Sequence, residues 1–466
     1  MTAVTVPVAE PLADVVLRDV GQNVYRCYQC VKCASGCPLA DAFDLTPNRV
    51  VRSVQFDDAQ VLESKTIWLC ASCQTCTTRC PQEIDVAAVM DALRMEAKRR
   101  GVAPAVPEID VFNRLFLRLV KALGRLYELG LSLAFNLARK KPFHELGLGL
   151  ALFRRGKLKL RPPFARSPRK VAPVAQRGDR AIGFFPGCAL DSTAAEYGRT
   201  VRSAAAALDL ELVEPPGWVC CGSSPAQMSD ATLAKALPME TIGTVEQMGF
   251  DTVSTPCSKC FARLKSAEHA VTQDAAAAKA VEERTGYAYE GTVTVQHLLD
   301  TLVDRAGLEA VAARVERPLA GLKVACYYGC LITRPAKLTG AEHPEYPTKM
   351  DALMRALGAE PVDWSYKTEC CGGALSVTQT PLALAMSRKV LENARACGAE
   401  AVVTMCPMCH MNLDTRQPQM ALDGATPIFH ATQLMVLAFG LGAKATALKG
   451  NVVDPRPVLE ERNLLT

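Results

Sequence analysis

Short apolar runs alternate with stretches of helical periodicity along residues 181–466. Runs rich in β-branched and aromatic residues predict strands, and apolar residues three or four positions apart predict the helices between them. Because strands that alternate with helices form parallel sheets, this part of the chain is predicted to be of the α/β class. The expected strands are 181–185, 211–214, 252–255, 322–328, 360–363 and 401–405, and the expected helices are 194–207, 233–248, 348–357 and 381–396.

The first 155 residues follow a helical pattern instead. Residues 1–20 are predicted to be a mobile lead-in with a short amphipathic turn. Helices are predicted at 45–59, where Pro47 lies near the start, and at 85–95. Residues 101–155 continue as helices with one apolar face, made by Phe112, Leu115, Phe116, Leu119, Val120 and Leu123.

The leucine-rich stretch at residues 126–153 is too interrupted to cross a membrane. Its longest apolar pieces, 129–137 and 146–153, fall well short of the roughly 20 residues that span a bilayer. No spanning helix is predicted, although docking on a partner or on a membrane surface stays open. From Arg154 to Arg180 the chain turns to Arg, Lys and Pro, with ten basic residues against one acidic residue, which predicts an extended linker.

These patterns predict an α+β multidomain chain. A helical N-terminal domain precedes a duplicated α/β domain with two pseudo-symmetric lobes that face each other across a cleft. The predicted divisions are a lead-in at 1–20, the helical domain at 21–100, a helical extension at 101–155, a basic Pro-rich linker at 156–180, a first lobe at 181–310 and a second lobe at 311–466.

Composition narrows the function classes. The chain has 466 residues, of which 49% are hydrophobic and 22% charged, as in an ordinary globular protein. A net charge of +5 gives no case for nucleic acid. Twenty cysteines are too many to be incidental, and the first residues lack the basic and apolar regions of a signal peptide. The cysteines are therefore expected to be reduced, in the cytoplasm, and to serve as metal ligands.

A Cys-Cys-Gly turn occurs twice, with companions at matching distances. The spacing Cys-x31-Cys-Cys-x35-Cys-x2-Cys is answered by Cys-x39-Cys-Cys-x34-Cys-x2-Cys, which indicates an internal repeat. Adjacent cysteines are poor disulfide partners, so each turn is interpreted as two ligands of one metal centre. The first set is Cys188, Cys220, Cys221, Cys257 and Cys260, and the second set is Cys330, Cys370, Cys371, Cys406 and Cys409.

Eight further cysteines have the spacing of a bacterial ferredoxin, so the helical domain at 21–100 is predicted to be a ferredoxin-like domain with two clusters. Two Cys-x2-Cys-x2-Cys-x3-Cys-Pro runs predict two 4Fe-4S cubanes, each of which takes its fourth thiolate from the other run. Zinc is the alternative, but it favours paired Cys-x2-Cys knuckles, which this spacing fits poorly. The predicted ligands are Cys27, Cys30, Cys33 and Cys80 for one cubane, and Cys70, Cys73, Cys76 and Cys37 for the other.

These motifs resemble heterodisulfide reductase. Residues 22–128 resemble its small, C-type iron-sulfur subunit, including Ile-Trp-Leu-Cys at 67–70 and Gly-Arg-Leu-Tyr-Glu at 124–128. Residues 181–415 resemble its catalytic, B-type subunit, including Lys-Thr-Glu-Cys-Cys-Gly-Gly at 367–373 and Met-Cys-Pro-Met-Cys-His at 405–410. The chain differs from that family in carrying both subunits as one polypeptide.

The resemblance implies a function for the ten cysteines of the two sets. Each set would hold a non-cubane 4Fe-4S cluster, a substrate disulfide would be cleaved or formed between the pair, and the cubanes would carry the electrons. A flavin-containing iron-sulfur subunit, like the A-type subunit of heterodisulfide reductase, is expected as partner, together with an electron donor or acceptor and a disulfide or thiol substrate. No strand is followed by Gly-x-Gly-x-x-Gly, so this chain is not expected to bind flavin or NAD.

Four other residues are interpreted separately. Cys326 lies four residues before Cys330 and resembles a ligand, but it is predicted to be a buried structural thiol, and so is Cys397. His410 follows Cys409 and is a proton donor to a departing thiolate, a hydrogen-bond donor to a cluster sulfur, or only a supporting residue. Lys259, between Cys257 and Cys260, either lowers nearby thiol pKa values, attracts an anionic substrate, or is simply solvated.

Two other functions compete with disulfide chemistry. Iron-sulfur subunits of glycolate and lactate oxidation systems also join a ferredoxin-like region to two Cys-Cys-Gly repeats, and there the chain relays electrons from a flavoprotein. The two complete five-cysteine sets favour disulfide chemistry, because a relay does not need two centres that accept sulfur. A scaffold that docks an oxidoreductase complex through the helical middle and the basic linker is a third, weaker hypothesis.

Overall fold

The computed structural model describes residues 9–168, 170–174, 178 and 180–465. Its N-terminal part is helical, and each Cys-Pro cysteine run lies in turns and one short helix, Lys32–Ser35 for the first run and Thr75–Thr78 for the second. The sequence predicted the helix that begins at Pro47 and the one that follows Asp85. The helices are α1 Leu12–Val20, α2 Lys32–Ser35, α3 Pro47–Gln55, α4 Lys65–Leu69, α5 Thr75–Thr78 and α6 Val86–Arg99.

The expected mobile lead-in is wrong for its second half. Residues 12–20 form α1, which packs against α6 and α3. Leu12, Val15 and Val16 are fully buried there, and the Leu12 amide donates to Asp57 Oδ1 at 2.7 Å. Because its apolar face covers the core around Trp68, α1 belongs to the packing of this domain. Residues 1–8 lie outside the described residues.

Three helices, α7 Pro107–Leu123, α8 Glu128–Ala138 and α9 Leu146–Arg154, connect the N-terminal part to the sheets. The helix α7 buries Phe116 and Val120 of the predicted apolar face. The chain then runs without regular structure through the described part of the predicted linker. This segment is nevertheless held in place, because Phe164 forms an antiparallel bridge with Gly124 and the Val174 amide donates to Met248 O at 3.1 Å. Residues 169, 175–177 and 179 of the linker lie outside the described residues.

Two four-stranded parallel sheets with the same strand order make up the rest of the chain. The first sheet has the order β2-β1-β3-β4 and the second β6-β5-β7-β8. The strands are β1 Ala181–Phe184, β2 Glu211–Val213, β3 Thr252–Thr255, β4 Thr294–His297, β5 Lys323–Tyr327, β6 Glu360–Pro361, β7 Ala401–Thr404 and β8 Ile428–His430.

Helices flank both sheets, as the alternating pattern predicted. Around the first sheet they are α10 Gly187–Asp191, α11 Ala195–Ala207, α12 Ser223–Gln227, α13 Ala231–Gln247, α14 Ser258–Gln273, α15 Ala275–Thr285, α16 Leu298–Asp300 and α17 Leu308–Ala313. Around the second they are α18 Ala336–Thr339, α19 Lys349–Ala356, α20 Thr380–Ala396, α21 Pro407–Thr415, α22 Ala431–Ala438 and α23 Arg456–Glu460.

The outer strands β4 and β8 were missed by the sequence prediction. Each is short, and each leads directly into a helix, α16 and α22, so neither gives a long β-rich run. The two sheets share their cores: Phe184 of β1 and Cys326 of β5 lie in one apolar cluster, and α11 packs against α22. Within the described residues, none of the helices combines the length and apolar character that crossing a bilayer requires.

Candidate functional site

Both five-cysteine sets are built on the same strand-end turn. Cys188 and Cys330 follow β1 and β5, and each comes directly after a glycine with positive φ, Gly187 at 73° and Gly329 at 69°. A Cβ at Gly187 would lie 3.0 Å from Cys260 Sγ, and one at Gly329 would lie 3.0 Å from Cys409 Sγ. Glycine is therefore required twice over, by backbone conformation and by the close approach of a thiol.

In the first set the thiols form a connected group. Cys221 Sγ lies 3.5 Å from Cys260 Sγ, while the Cys220 thiol interacts with the thiols of Cys188 and Cys221. The Cys257 thiol interacts with that of Cys260, so all five members are linked. Hydrogen bonds from the Cys220 and Cys260 thiols hold the pKa of Cys221 well below its usual range, which favours the thiolate that metals bind.

The second set repeats this arrangement. Cys371 Sγ lies 3.8 Å from Cys409 Sγ, and the Cys406 thiol interacts with that of Cys409. The Cys370 thiol interacts with that of Cys330. Hydrogen bonds from the thiols of Cys257 and Cys409 hold the pKa of Cys406 well below its usual range.

The two sets meet at the contact between the thiols of Cys257 and Cys406. Each of these residues lies at the start of a helix, α14 or α21, after the end of an inner strand. The buried Tyr197 spans the junction, because its hydroxyl lies 3.2 Å from Met405 O and 3.5 Å from Pro256 O. These carbonyls immediately precede Cys406 and Cys257, so Tyr197 positions both turns.

In the N-terminal domain, each Cys-Pro cysteine lies beside the other run. Burial raises the pKa of Cys33 to about 11, with further contributions from Cys27, Cys30 and Cys80. Burial likewise raises the pKa of Cys37 to about 12, and Cys73, Cys70 and Cys33 add to it. The cysteines that the sequence assigns to a common cubane therefore interact across the two runs, Cys80 with the first run and Cys37 with the second.

The second set also touches the N-terminal domain. The thiol of Cys370 interacts with that of Cys73, which lowers the pKa of Cys73 to about 6. Arg334, fully buried beside this contact, donates to Thr75 Oγ1 at 2.7 Å and to Thr368 Oγ1 at 2.8 Å. One guanidinium thus ties the turn after Cys73 to the segment before Cys370.

A cavity of about 290 Å³ lies over the first set. All five cysteines of that set line it, together with apolar side chains of α7, α8 and α9 such as Phe116, Leu131 and Leu152. Residues 373–378 and Met408 of the second repeat close the opposite side. In the lining that the described residues define, the second set contributes no cysteine. We refer to this cavity as the chamber.

Glu128, at the start of α8, places a carboxyl group in the chamber wall beside the first set. Its carboxylate accepts hydrogen bonds from the hydroxyls of Ser192 and Thr193, the latter at 3.2 Å. Burial raises the pKa of Glu128 to about 7, although both hydroxyls oppose the shift. The sequence analysis gave Glu128 no role beyond its place in a motif. It missed Arg334 and Tyr197, because no nearby sequence pattern indicates that they contact the cysteine sets.

The four residues with open interpretations have different outcomes. Cys326 is buried, as predicted, but the prediction for Cys397 is wrong: its side chain is exposed at the C-terminal end of α20. His410 is buried, its Nε2 lies 3.1 Å from Ile428 O, and burial lowers its pKa to about 3, so its interactions are those of a supporting residue. Lys259 lines the chamber and a second cavity of about 540 Å³, and burial lowers its pKa.

The thiols have the chemistry that an iron-sulfur cluster requires. All twenty cysteines are free thiols, and eighteen of them belong to the four predicted ligand groups. Among residues 9–168, 170–174, 178 and 180–465, no three His, Cys, Asp or Glu side chains converge closely enough for a single metal ion.

Comparison with known proteins finds family matches in both the N-terminal domain and the two-sheet region. Residues 26–85 match the family described as 4Fe-4S dicluster domain, and residues 182–265 and 324–414 each match the Cysteine-rich domain with the Cys-Cys-Gly motif. The 8-methylmenaquinol:fumarate reductase membrane anchor subunit of Wolinella succinogenes is 32% identical over 59% of this chain and 98% of its own length. The chain belongs to the same Cys-Cys-Gly family as this relative. B-type and C-type heterodisulfide reductase subunits are also among its relatives.

The B-type subunit of a CoB-CoM heterodisulfide reductase from Methanosarcina acetivorans is 29% identical over 59% of this chain and 94% of its own length. The C-type subunit of such a reductase from Methanosarcina mazei is 32% identical over 28% of this chain and 75% of its own length. The chain is therefore an iron-sulfur protein that joins a C-type and a B-type heterodisulfide reductase-like part, as predicted. These relatives support the heterodisulfide reductase-like prediction over the glycolate or lactate relay.

Proposed function

We propose that this chain is the iron-sulfur subunit of a heterodisulfide reductase-like complex and that it cleaves or forms a disulfide in the chamber. One observation carries the proposal. The thiols of the first set open onto the chamber, while those of the second set touch both the first set, through Cys406, and the N-terminal domain, through Cys370. This arrangement gives electrons a connected series of ligands from the N-terminal domain to the substrate.

The residues fit four clusters. Two cubanes would be held by Cys27, Cys30, Cys33 and Cys80 and by Cys70, Cys73, Cys76 and Cys37. Two non-cubane 4Fe-4S clusters would be held by Cys188, Cys220, Cys221, Cys257 and Cys260 and by Cys330, Cys370, Cys371, Cys406 and Cys409, between two pseudo-symmetric lobes. Such clusters supply electrons one at a time.

The reaction balances with two electrons and two protons. In the reducing direction one S–S bond breaks and two thiols form, so two single-electron centres in contact would deliver the pair without releasing a radical. The cysteines of the first set would hold the cluster that faces the substrate, those of the second set would hold its neighbour, and the Cys257–Cys406 contact would keep the two clusters close enough to share the two electrons. Glu128, whose pKa near 7 lets it hold a proton at neutral pH, is in place to protonate a departing thiolate.

The proposed partner is a flavin-containing iron-sulfur subunit, because disulfide reduction needs two electrons from one donor and this chain would pass them singly. Its docking site should lie near the first cubane, since the second cubane is turned toward Cys370. Tyr28 and Cys30 are exposed at that end of the domain, which would leave a short path to a partner cluster.

Anaerobic purification followed by iron and sulfide analysis tests the cofactors. Four four-iron clusters call for about sixteen irons per chain. Titration of the reduced protein with low-molecular-weight disulfides then tests the chemistry. New paramagnetic signals from a thiolate-bound cluster support the proposal. A fully reduced protein whose signals do not change with any disulfide contradicts it.

A second candidate function is electron transfer between a quinol and a flavoprotein. The relative from Wolinella succinogenes, which belongs to an 8-methylmenaquinol:fumarate reductase, favours it, and so does the apolar lining of the chamber. In this function the first set would accept electrons from a quinol in the chamber. Oxidation of a water-soluble menaquinol analogue by the loaded chain, with no response to disulfides, would select this candidate over the first.

A further inference from the structure

A second cavity, of about 540 Å³, lies where the N-terminal domain meets both repeats. Its walls come from α1 and α6, from α13 and α14 of the first repeat, and from α18 and the segment before it in the second repeat. In the lining that the described residues provide there is no cysteine, so this cavity is distinct from the chamber. We refer to it as the junction cavity. Its volume is in the range of sites that hold a small organic molecule.

The acidic side chains of the junction cavity already have partners within the protein. The four carboxylates that line it belong to Asp19, Asp85, Asp91 and Asp274. Asp19 and Asp91 form ion pairs with Arg99 and Arg94. Asp85 and Asp274 accept hydrogen bonds from backbone amides at the starts of α6 and α15. The four carboxylates are therefore engaged before any ligand enters.

Two cations on one face of α14 lack such partners. Lys259 and Arg263 are four residues apart, and both line the junction cavity. Like charges at this spacing repel each other, and the helix dipole disfavours a cation in the first turn, where Lys259 lies. Within the part of the chain that the structure describes, neither forms an ion pair, whereas Lys265 on the same helix pairs with Glu268 at 2.8 Å. This positive face is unfavourable unless an anion binds beside it.

Several buried polar atoms in the cavity wall lack hydrogen-bond partners among the described residues. Arg263 Nε and Ser72 Oγ are such donors, although their residues are only 7% and 2% exposed. Arg334 Nε, from the opposite wall, is a third. Gln74 Oε1 is an acceptor in the same condition. Because a buried polar atom without a partner costs free energy, these atoms indicate a ligand with several oxygen acceptors and a hydroxyl.

The junction cavity also touches three segments that carry predicted cluster ligands. Ser72 directly precedes Cys73, and Leu331 directly follows Cys330. Lys259 lies inside the Cys-x2-Cys pair of the first set. An anion bound in the cavity would therefore place negative charge beside both five-cysteine sets and the second ferredoxin run.

We propose that the junction cavity binds a small organic molecule that carries a phosphate group. Lys259 and Arg263 supply the unbalanced positive charge, and Arg334 Nε and Ser72 Oγ supply further donors. These donors belong to different segments on different walls, and such an arrangement suits a tetrahedral oxyanion better than a planar carboxylate. Gln74 Oε1 would accept a hydrogen bond from a hydroxyl of the ligand. The proposal does not depend on which substrate the chamber takes.

Isothermal titration calorimetry with inorganic phosphate tests the proposal. The full-length chain is prepared anaerobically with its iron, and ionic strength is held constant during the titration. Wild-type chain should bind phosphate saturably, with one site per chain. Lys259→Gln and Arg263→Gln should each weaken binding roughly tenfold or more, because each removes a charge-assisted hydrogen bond. Malonate, a dianion with planar carboxylates, should bind more weakly than phosphate.

Lys265→Gln is the matched control, because Lys265 lines the same cavity from the same helix but is paired with Glu268. It should bind phosphate within about twofold of the wild type. Arg263 also donates to Ala234 O at 2.8 Å, so its loss affects the fold as well. Lys259→Gln keeps the test decisive, since Lys259 gives no hydrogen bond among the described residues and its variant should unfold at the wild-type temperature.

Three results would overturn the proposal. The first is a wild-type chain that shows no saturable binding of phosphate. The second is a Lys265→Gln variant that loses binding as fully as Lys259→Gln, because binding would then reflect general surface charge. The third is malonate that binds more tightly than phosphate, which would assign the cavity to carboxylates instead.

Discussion

The two five-cysteine sets share a local architecture but not their neighbours. Each has a strand-end cysteine after a left-handed glycine, a Cys-Cys-Gly turn, and a Cys-x2-Cys pair at a helix start. Around the first set, the Leu126 amide lies 3.4 Å from Cys188 Sγ, and the Cys220 amide donates to Gly124 O at 2.9 Å. Around the second set, Cys370 touches Cys73, and Arg334 ties Thr368 to Thr75.

This difference indicates how two copies of one site can take different roles. Two copies of one turn are equivalent as long as they have equivalent surroundings. Here the helical middle of the chain covers the first copy with an apolar chamber, whose lining also includes Trp68 and Cys70 of the ferredoxin-like domain. That domain contacts the second copy directly, through the thiols of Cys73 and Cys370. The repeat thus supplies two similar centres, and under the proposed function their different neighbours would determine which one meets substrate and which one receives electrons.

The double change Cys370→Ser, Cys371→Ser should have the largest effect, because it removes two ligands of the second set. We expect loss of one non-cubane signal, survival of the cubane signals, and at least a hundredfold loss of turnover, since electrons no longer reach the first set. The double change Cys220→Ser, Cys221→Ser is the matched variant. It should also abolish turnover, but the second set should still be reduced from the cubanes.

Electron paramagnetic resonance during stepwise reduction distinguishes these two variants. If both lose the same signals, or if the change at Cys370 and Cys371 leaves the first set reducible at the wild-type rate, then the proposed direction of electron flow is wrong. Loss of all four clusters in either variant would contradict the independence of the sets.

Arg334→Met should have the next largest effect. Arg334 is 1% exposed and gives three hydrogen bonds to Thr75 and Thr368, so its loss leaves buried acceptors unpaired at a cost of about 2–4 kcal/mol in the free energy of unfolding. The thermal midpoint of the loaded chain should fall, and the second set should be reduced more slowly. Arg388→Met, which removes an exposed pair with Glu392, should cost at most about 0.5 kcal/mol. If the two variants had equal effects, Arg334 would not support the proposed contact between Cys73 and Cys370.

Glu128→Gln should change the pH dependence of disulfide reduction. Burial raises the pKa of Glu128 to about 7, so the carboxyl holds a proton below that pH and loses it as the pH rises. The wild-type rate should therefore fall above about pH 7, and the variant should be slower by roughly tenfold at pH 6 with a flat profile. The raised pKa also means that protonation stabilises the fold, fully below about pH 4.5 and no longer above pH 7, so the variant should gain relative stability at alkaline pH.

The sequence predicted the elements that carry strong periodicity. The helix after Asp85 and the inner strands β1, β3, β5 and β7 were found because their apolar residues are numerous and their ends are marked by Pro, Gly or Cys. The outer strands β4 and β8 were missed because three or four residues that lead straight into a helix look like the helix itself. The helix α1 was missed because its burial depends on contacts with α6 and α3 that its own sequence does not reveal.

For the site, spacing predicted which cysteines group together but not what surrounds them. The pairing of each Cys-Pro cysteine with the other run follows from the ferredoxin pattern, and the two five-cysteine sets follow from the repeat. The contact between Cys257 and Cys406, by contrast, depends on how two sheets pack. Glu128 and Arg334 are single residues distant in sequence from the groups they serve, so no local pattern could assign them. The cluster content of each set remains a prediction.

Tyr197→Phe should have the smallest effect of these changes. It tests whether the Tyr197 hydroxyl fixes the contact between the two sets or only lies beside it. The buried hydroxyl lies within 3.2 Å of Met405 O and 3.5 Å of Pro256 O, so its removal should cost about 1 kcal/mol. The Tyr197 ring would remain stacked on His430, at a centroid distance of 3.7 Å, so the fold should be kept. The coupling between the two non-cubane signals should weaken. Tyr327→Phe is the matched control, because its hydroxyl donates to Glu369 O at 2.6 Å and serves the second set alone. An equal change in both variants would mean that Tyr197 contributes stability only, and that the contact between Cys257 and Cys406 is fixed by sheet packing without it.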